Sequence, residues 1–272
     1  MEWWQAIILG IVQGLTEFLP VSSSGHLLLL QDVMNVQASG DALDAFDVAL
    51  HAGTLVALFA YFGSDLWAMA GAWFQSIRTR TMATPEARLA WLILLGTIPA
   101  LVFFAVAGDF IDAAQENMTL IASMLIGVSF VFIIAERFKG ERSTDQANWR
   151  DALAIGCAQA LALIPGTSRS GATISMGMLL GFDRTAAARF SFLLSAPVIT
   201  AALVKTTPEL AHVSQQDTGF LIASIAGFVA SAVSGYLAVS YLIKFLGNNS
   251  LSWFAGYRIP VGMFFLWYFS AR

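Results

Sequence analysis

Charge is scarce in this chain. Only 12% of its 272 residues are Asp, Glu, Lys or Arg, about half the share usual in a soluble globular protein. Cysteine is nearly missing: the single Cys157 excludes an intramolecular disulfide framework and any cysteine-rich zinc site. An excess of basic residues is missing too. A net charge of −4 and a pI near 5.3 exclude the electrostatic footprint of a nucleic-acid binder, so no nucleic-acid partner is expected. The opening residues, Met1-Glu2-Trp3-Trp4-Gln5, lack a basic region and a small-residue cleavage site, so no removable signal peptide is expected. What is abundant is apolar: 57% of residues are hydrophobic and the mean hydropathy is +0.71. The class left is an all-α polytopic membrane protein, read as a single integral domain over 1–272.

A bilayer core of about 30 Å needs roughly 20 apolar residues in a helix. Six transmembrane helices are expected, over 46–76, 88–107, 117–138, 186–205, 217–246 and 251–270, the first read as one span despite Ser64 and Asp65. Two further apolar segments, 3–34 and 152–182, are broken in the middle. The first break holds Pro20, Ser22, Ser23, Ser24, Gly25 and His26; the second holds Pro165, Gly166, Thr167, Ser168, Arg169, Ser170 and Gly171. Broken backbone at membrane depth is tolerated only where protein buries it or a wet cavity receives it. Both segments therefore read as re-entrant helix–loop–helix hairpins.

Ten of the fourteen Lys and Arg residues thread to one side: Arg78, Arg80, Arg88, Arg137, Lys139, Arg142, Arg150, Arg184, Arg189 and Lys244. The positive-inside rule makes that side cytoplasmic. The opposite connections, 31–47 and 108–117, are acidic, with Asp32, Asp41, Asp44 and Asp47 in the first; only Lys205 and Arg272 count against the assignment.

Residues 6–25 and 152–171 match at a constant offset of 146, with seven identities that include Gln13/Gln159, Ser22/Ser168, Ser24/Ser170 and Gly25/Gly171. Composition alone gives roughly one or two. The halves, 1–138 and 152–270, each carry one hairpin and three spans, and an odd number of spans inverts the second half. Inverted repeats with broken helices point to a site where the breaks meet, here joining Glu17 and His26 to Arg169. Two helix breaks held together only by hydrogen bonds is the plainer alternative.

At the second break, proline ends a helix, glycine turns the chain, and the next helix start offers free N–H groups. Thr167, Ser168, Ser170 and Thr173 add hydroxyls and Arg169 a two-pronged cation, a donor set that suits phosphate. At the first break, Gln13 and Glu17 share one helix face and offer hard oxygens to a divalent cation, Mg2+ or Ca2+. His26 can carry a proton, and Ser22, Ser23 and Ser24 offer a nucleophile or a helix cap. His51 reads as a structural residue and His212 as a loop residue.

The run Gln13-Gly14-Leu15-Thr16-Glu17-Phe18-Leu19-Pro20-Val21-Ser22-Ser23-Ser24-Gly25-His26, with the Pro165–Thr173 run, closely resembles the undecaprenyl-diphosphate phosphatases of the bacitracin-resistance type. The likeness covers the whole chain. The family's acidic motif is Glu or Gln, three residues, then Glu, and Gln13 holds the first position here. Glu17, Ser23, His26, Ser168, Arg169 and Thr173 match the family's functional positions. The resemblance implies hydrolysis of undecaprenyl diphosphate to undecaprenyl phosphate and inorganic phosphate in the bacterial plasma membrane, with the site on the outer face. It also implies a divalent metal. The expected partners are the polyprenyl diphosphate lipid, the bilayer and a second copy of the chain as a homodimer.

On this reading Arg169, Ser168, Thr173 and backbone donors bind the diphosphate, with Ser22, Ser24, Thr167 and Ser170 around it. Glu17 and Gln13 hold the metal, and Ser23 attacks phosphorus assisted by His26. Attack by His26 itself, or by metal-activated water, stays open. A transporter or flippase of a phosphorylated polyprenyl lipid is the alternative function, because it needs the same phosphate cradle.

Overall fold

The computed structural model of the chain describes residues 1–36, 40–216 and 218–271, apart from the side chains of Asp41 and of residues 205–216. Arg272 and the side chains of Asp41, Lys205 and His212, which enter the readings above, lie outside the described residues. The regular elements are α1 (Trp3–Phe18), α2 (Ser23–Val33), α3 (Gly40–Thr79), α4 (Pro85–Gln115), α5 (Met118–Phe138), α6 (Trp149–Leu161), α7 (Arg169–Leu179), α8 (Arg184–Gln216), α9 (Thr218–Asn248) and α10 (Ser252–Ser270), with one 3-10 turn at Thr144–Gln146. No β-strand occurs among the described residues.

Five helices are long and apolar enough to cross a membrane: Ala42–Thr79, Pro85–Gln115, Met118–Phe138, Arg184–Val204 and Thr218–Asn248. The segment at 46–76 is one helix, and Asp65 within it accepts a hydrogen bond from Arg189 Nη2 of α8 at 3.0 Å. The span expected to end at 107 bends there, at Ala107, and α4 then runs on to Gln115. Helix α8 continues past 205 to Gln216, so the backbone at His212 is helical and the expected loop is not there. The sixth expected span, α10, has 19 residues but a weaker apolar composition, with Arg258 and Pro260 in its middle.

The two broken segments fold in the same register. Helices α1 and α6 begin at Trp3 and Trp149; α2 and α7 run from Ser23 to Val33 and from Arg169 to Leu179. A capping box opens each pair, Glu2 with Gln5 and Asn148 with Asp151. At a rise of about 1.5 Å per residue, none of these four helices spans a bilayer core.

Small residues let the broken segments dock deeply. In α1, Ala6, Leu9, Gly10, Gln13, Gly14 and Glu17 form a buried stripe at three- and four-residue spacing. That helix packs on α9, and a Cβ at Gly14 would overlap the Ser231 carbonyl and the Ser234 hydroxyl. Helix α6 packs on α4 the same way, with Gly156 against the Gly96 carbonyl. Each broken segment thus leans on a long helix from the other half of the chain.

Ion pairs tie the ends of the bundle. Arg142 grips Asp151 with Nη1 at 3.2 Å and Nη2 at 2.6 Å, and also donates to the Leu180 carbonyl at 2.6 Å. Arg184 holds Glu136 at 2.6 Å, and that carboxylate also accepts the Leu251 N–H before α10.

The close approach at α1 and α9 has a direct test. Gly14→Ala is expected to destabilise the protein by about 1–3 kcal/mol, since backbone on the α9 side cannot yield cheaply. Gly63→Ala, with open space around it, is expected to be neutral or to stabilise by up to about 1 kcal/mol. Thermal unfolding in detergent compares the two, and equal shifts would remove the close-approach argument.

Candidate active site

Helix α1 stops at Phe18, Leu19 is extended, and Pro20 cannot continue a helix. Helix α6 stops at Leu161, and the chain turns through Pro165 and Gly166, the glycine at φ +86°. Each new helix is entered through a serine in the left-handed region, Ser22 at φ 76° and Ser168 at φ 73°. Such backbone costs a non-glycine residue of the order of 1–3 kcal/mol and is a mark of functional sites. The hydroxyls repeat as well: Ser22 lies 3.3 Å from Ser24 Oγ, and Ser168 lies 3.3 Å from Ser170 Oγ. Ser168 Oγ caps α7 by accepting the Gly171 N–H at 3.2 Å.

Glu17 is where the two breaks meet. Its Oε1 accepts from Arg169 Nη2 at 2.8 Å; its Oε2 accepts from Ser23 Oγ at 2.9 Å and from Gln13 Nε2 at 3.2 Å. The side chains of Glu17 and Arg169 are 8% and 14% exposed, so the pair is shielded from water. Ser170 Oγ adds a second link between the breaks, donating to the Leu19 carbonyl at 3.3 Å.

Several polar atoms here have no partner. Gln13 Oε1, Thr167 Oγ1 and Arg169 Nη1 are buried without a hydrogen bond. The N–H groups of Ser168, Arg169 and Ser170 have no acceptor among the described residues. A donor set of three N–H groups, a guanidinium nitrogen and a hydroxyl suits an anion at the α7 start. Thr173 is different: its hydroxyl, one turn inside α7, bonds the Arg169 carbonyl at 2.8 Å and lies 2.6 Å from Ser191 Oγ, so it braces the helix start.

The expected pairing of His26 with Ser23 is not formed. His26 Nδ1 lies 2.7 Å from the Ser22 carbonyl, which only accepts, so Nδ1 carries the proton. Its Nε2 lies 2.8 Å from the Tyr257 hydroxyl. The acceptor for the Ser23 proton is Glu17.

Three residues near the breaks escaped the sequence reading. His51, taken as structural, places Nε2 at 3.8 Å from Glu17 Oε2 and is 39% exposed, while its Nδ1 donates to the Asp47 carbonyl at 2.8 Å. Tyr257 and Arg258 come from α10, and Arg258 is fully buried. The signal for Arg258 was present: a cation in the middle of an apolar helix needs a purpose.

The fold and these groups define a multi-pass membrane protein in which two broken helices meet at a buried Glu17–Arg169 pair. The chain belongs to the family described as bacitracin resistance protein BacA, whose model matches residues 6–264. Among curated relatives named undecaprenyl-diphosphatase, that of Rubrobacter xylanophilus is 45% identical, covering 96% of both chains. That of Mycobacterium leprae is 42% identical over 97% of this chain and 93% of its own. The Corynebacterium efficiens protein is 40% identical over 98% and 92%.

Removing one side of a buried pair leaves the other uncompensated, at about 3–5 kcal/mol. Glu17→Gln is therefore expected to lower thermal stability more than the double change Glu17→Gln with Arg169→Met. Strictly additive losses would mean that the pair is not coupled.

Proposed function

We propose that this chain hydrolyses undecaprenyl diphosphate to undecaprenyl phosphate and inorganic phosphate, recycling the lipid carrier of cell-wall synthesis and conferring bacitracin resistance. The observation that carries the reading is one carboxylate that receives both a serine hydroxyl and an arginine. Arg169 Nη1, Thr167 Oγ1 and the N–H groups of Ser168, Arg169 and Ser170 bind the terminal phosphate. Ser22, Ser24 and the Ser168 and Ser170 hydroxyls line its approach. Ser23 Oγ attacks phosphorus; its O–P bond forms as the bridging P–O bond breaks, and undecaprenyl phosphate leaves. The Ser23 proton passes to Glu17, which already accepts it. Water then attacks the phosphoserine and releases inorganic phosphate. His26, on the same helix as Ser23 and held by Ser22 and Tyr257, is the imidazole assigned to proton transfer in that second step.

The unpartnered Gln13 Oε1 fits a divalent cation. Among the described residues no three His, Cys, Asp or Glu side chains gather around one point, so substrate oxygens and water must supply most of the shell, as Mg2+ commonly requires. Held by Glu17 and Gln13, Mg2+ or Ca2+ would neutralise charge on the leaving phosphate. All these groups come from one chain, so a homodimer is not needed to build the site.

The two halves, 1–138 and 152–270, form one membrane domain as an inverted repeat, with α1–α2 and α6–α7 as re-entrant hairpins and α10 as a sixth crossing. The shared helix register and the shortness of these four helices support it. The positive-inside rule, applied to the ten basic residues that thread to one side, supports a site facing the outer side of the bacterial plasma membrane.

Purified protein in detergent has no two sides, so phosphate release from undecaprenyl diphosphate there is expected of the enzyme and absent from a transporter. Arg169→Lys should lose most of that activity, because an ammonium cannot give one prong to Glu17 and another to phosphate. Ser23→Ala should abolish it; near-normal turnover in either variant would remove that residue from the site.

Topology is tested separately. In a Cys157→Ala background, cysteines at Gly40 and Asn117 are expected to react with an impermeant thiol reagent in intact cells. A cysteine at Thr144 should react only after lysis. The opposite pattern would turn the site to the cytoplasm.

A further inference from the structure

Arg258 is a buried charge that the reaction steps above do not use. It is 0% exposed, and no carboxylate lies within ion-pairing distance of it among the described residues. A cation buried at membrane depth without a counter-ion is costly unless every donor is satisfied. Each of its three nitrogens has at least one acceptor, and the choice of acceptors is informative. Nε bonds the Leu125 carbonyl at 3.3 Å and Ser129 Oγ at 3.1 Å, and the guanidinium lies 5.0 Å over the Phe132 ring. Those contacts are enough to fasten α10 to α5. The terminal nitrogens reach further, to the carbonyls of Gly166 at 2.9 Å, Thr167 at 3.1 Å and Pro20 at 3.4 Å. Nη2 also meets the Met124 carbonyl at 3.4 Å.

Gly166, Thr167 and Pro20 are the turns of the two breaks. In a trans peptide the C=O and the following N–H point in opposite directions. With the Thr167 carbonyl turned to Arg258, the Ser168 N–H faces away from it, and it is one of the three N–H groups left free for an anion. A carbonyl turned the other way would set a negative dipole against phosphate. We infer that Arg258 is a positioning residue of the phosphate loop. It holds the Gly166 and Thr167 carbonyls away from the anion, so that the loop offers only donors, and through Pro20 it fixes the first break in the same frame. Tyr257, next to it on α10, sets the ring of His26, so one turn of α10 supports both breaks from behind.

This rests on the phosphatase reading, and the test separates the two. Product inhibition by inorganic phosphate reports the loop's donors directly. Arg258→Lys, which has one nitrogen to share among both loops and α5, is expected to raise the inhibition constant for phosphate and to lower kcat/KM, each by about ten- to a hundredfold. Arg258→Gln, which buries no charge and so keeps the fold, is expected to raise the phosphate constant in the same way. Ser129→Ala cuts only the α5 contact and should leave that constant within about twofold. A folded Arg258→Lys or Arg258→Gln with the wild-type phosphate constant, whatever its stability, would reduce Arg258 to a structural tie. A wild-type protein that releases no phosphate would overturn the phosphatase reading first and this inference with it.

Discussion

The site depends on the carboxylate of Glu17. One oxygen takes Arg169 at 2.8 Å and the other takes Ser23 at 2.9 Å. Both donors are the first residue of a helix, and both helices follow a left-handed serine. A single anion between two helix starts does two things at once. It offsets the cation that would otherwise be stranded among apolar helices, and it fixes how far the two breaks stand apart. The Arg169 guanidinium and the Ser23 hydroxyl, which the proposed reaction uses for binding and attack, are therefore set by the same bond network. A displacement of Glu17 disturbs binding and attack together.

A helix break inside an apolar bundle must also account for its backbone groups. The bundle divides that task by polarity. Arg258 takes carbonyls from both turns, and Ser170 takes another at Leu19. The N–H groups of Ser168, Arg169 and Ser170 are left without acceptors among the described residues. The result is a loop whose acceptors are consumed from behind and whose donors remain available. The close seat of α1 on α9 and of α6 on α4, made by glycine and serine, keeps this frame rigid enough for the division to hold.

Much of this was legible in the residues. Pro20 and Pro165 mark the breaks because each is followed by a run of hydroxyl and glycine residues that ends the apolar pattern, and the offset of 146 places both breaks in one register. Gln13, Glu17, Ser23 and Arg169 were readable as neighbours because their polar chemistry is concentrated where the backbone is free, and the structure brings all four together at Glu17. Partnership was less readable. His26 follows Ser23 by three positions, and that spacing is compatible with a serine–histidine pair. The pairing failed because the Ser22 carbonyl takes one ring nitrogen and Tyr257, 231 residues away, meets the other. His51 and Arg258 had their partners hidden for a similar reason, although the buried cation itself was a visible signal. Each lies on a long helix whose pattern reports burial, and only the packing of α3 and α10 brings them to the breaks. The weak hydropathy of α10 that separates it from the five candidate spans has the same source as its role: Arg258 is expensive for a crossing and useful to the loops.

The repeat also explains why the site is formed once. At the offset of 146, Ser23 corresponds to Arg169, Glu17 to Leu163, and His26 to Ala172. The two breaks share a backbone, yet the first keeps the carboxylate, serine hydroxyl and imidazole while the second keeps the guanidinium and the N–H groups that have no acceptor among the described residues. A second carboxylate at 163 would compete with Glu17 for Arg169 and set two negative charges against a diphosphate. A second arginine at 23 would remove the nucleophile. With one of each, Glu17 and Arg169 balance in the resting protein, and the unpartnered Nη1 of Arg169 leaves positive character facing the substrate. Divergence at two equivalent helix starts has thus turned one structural unit into chemically complementary halves, which the proposed reaction uses to hold the phosphate and to cut it free.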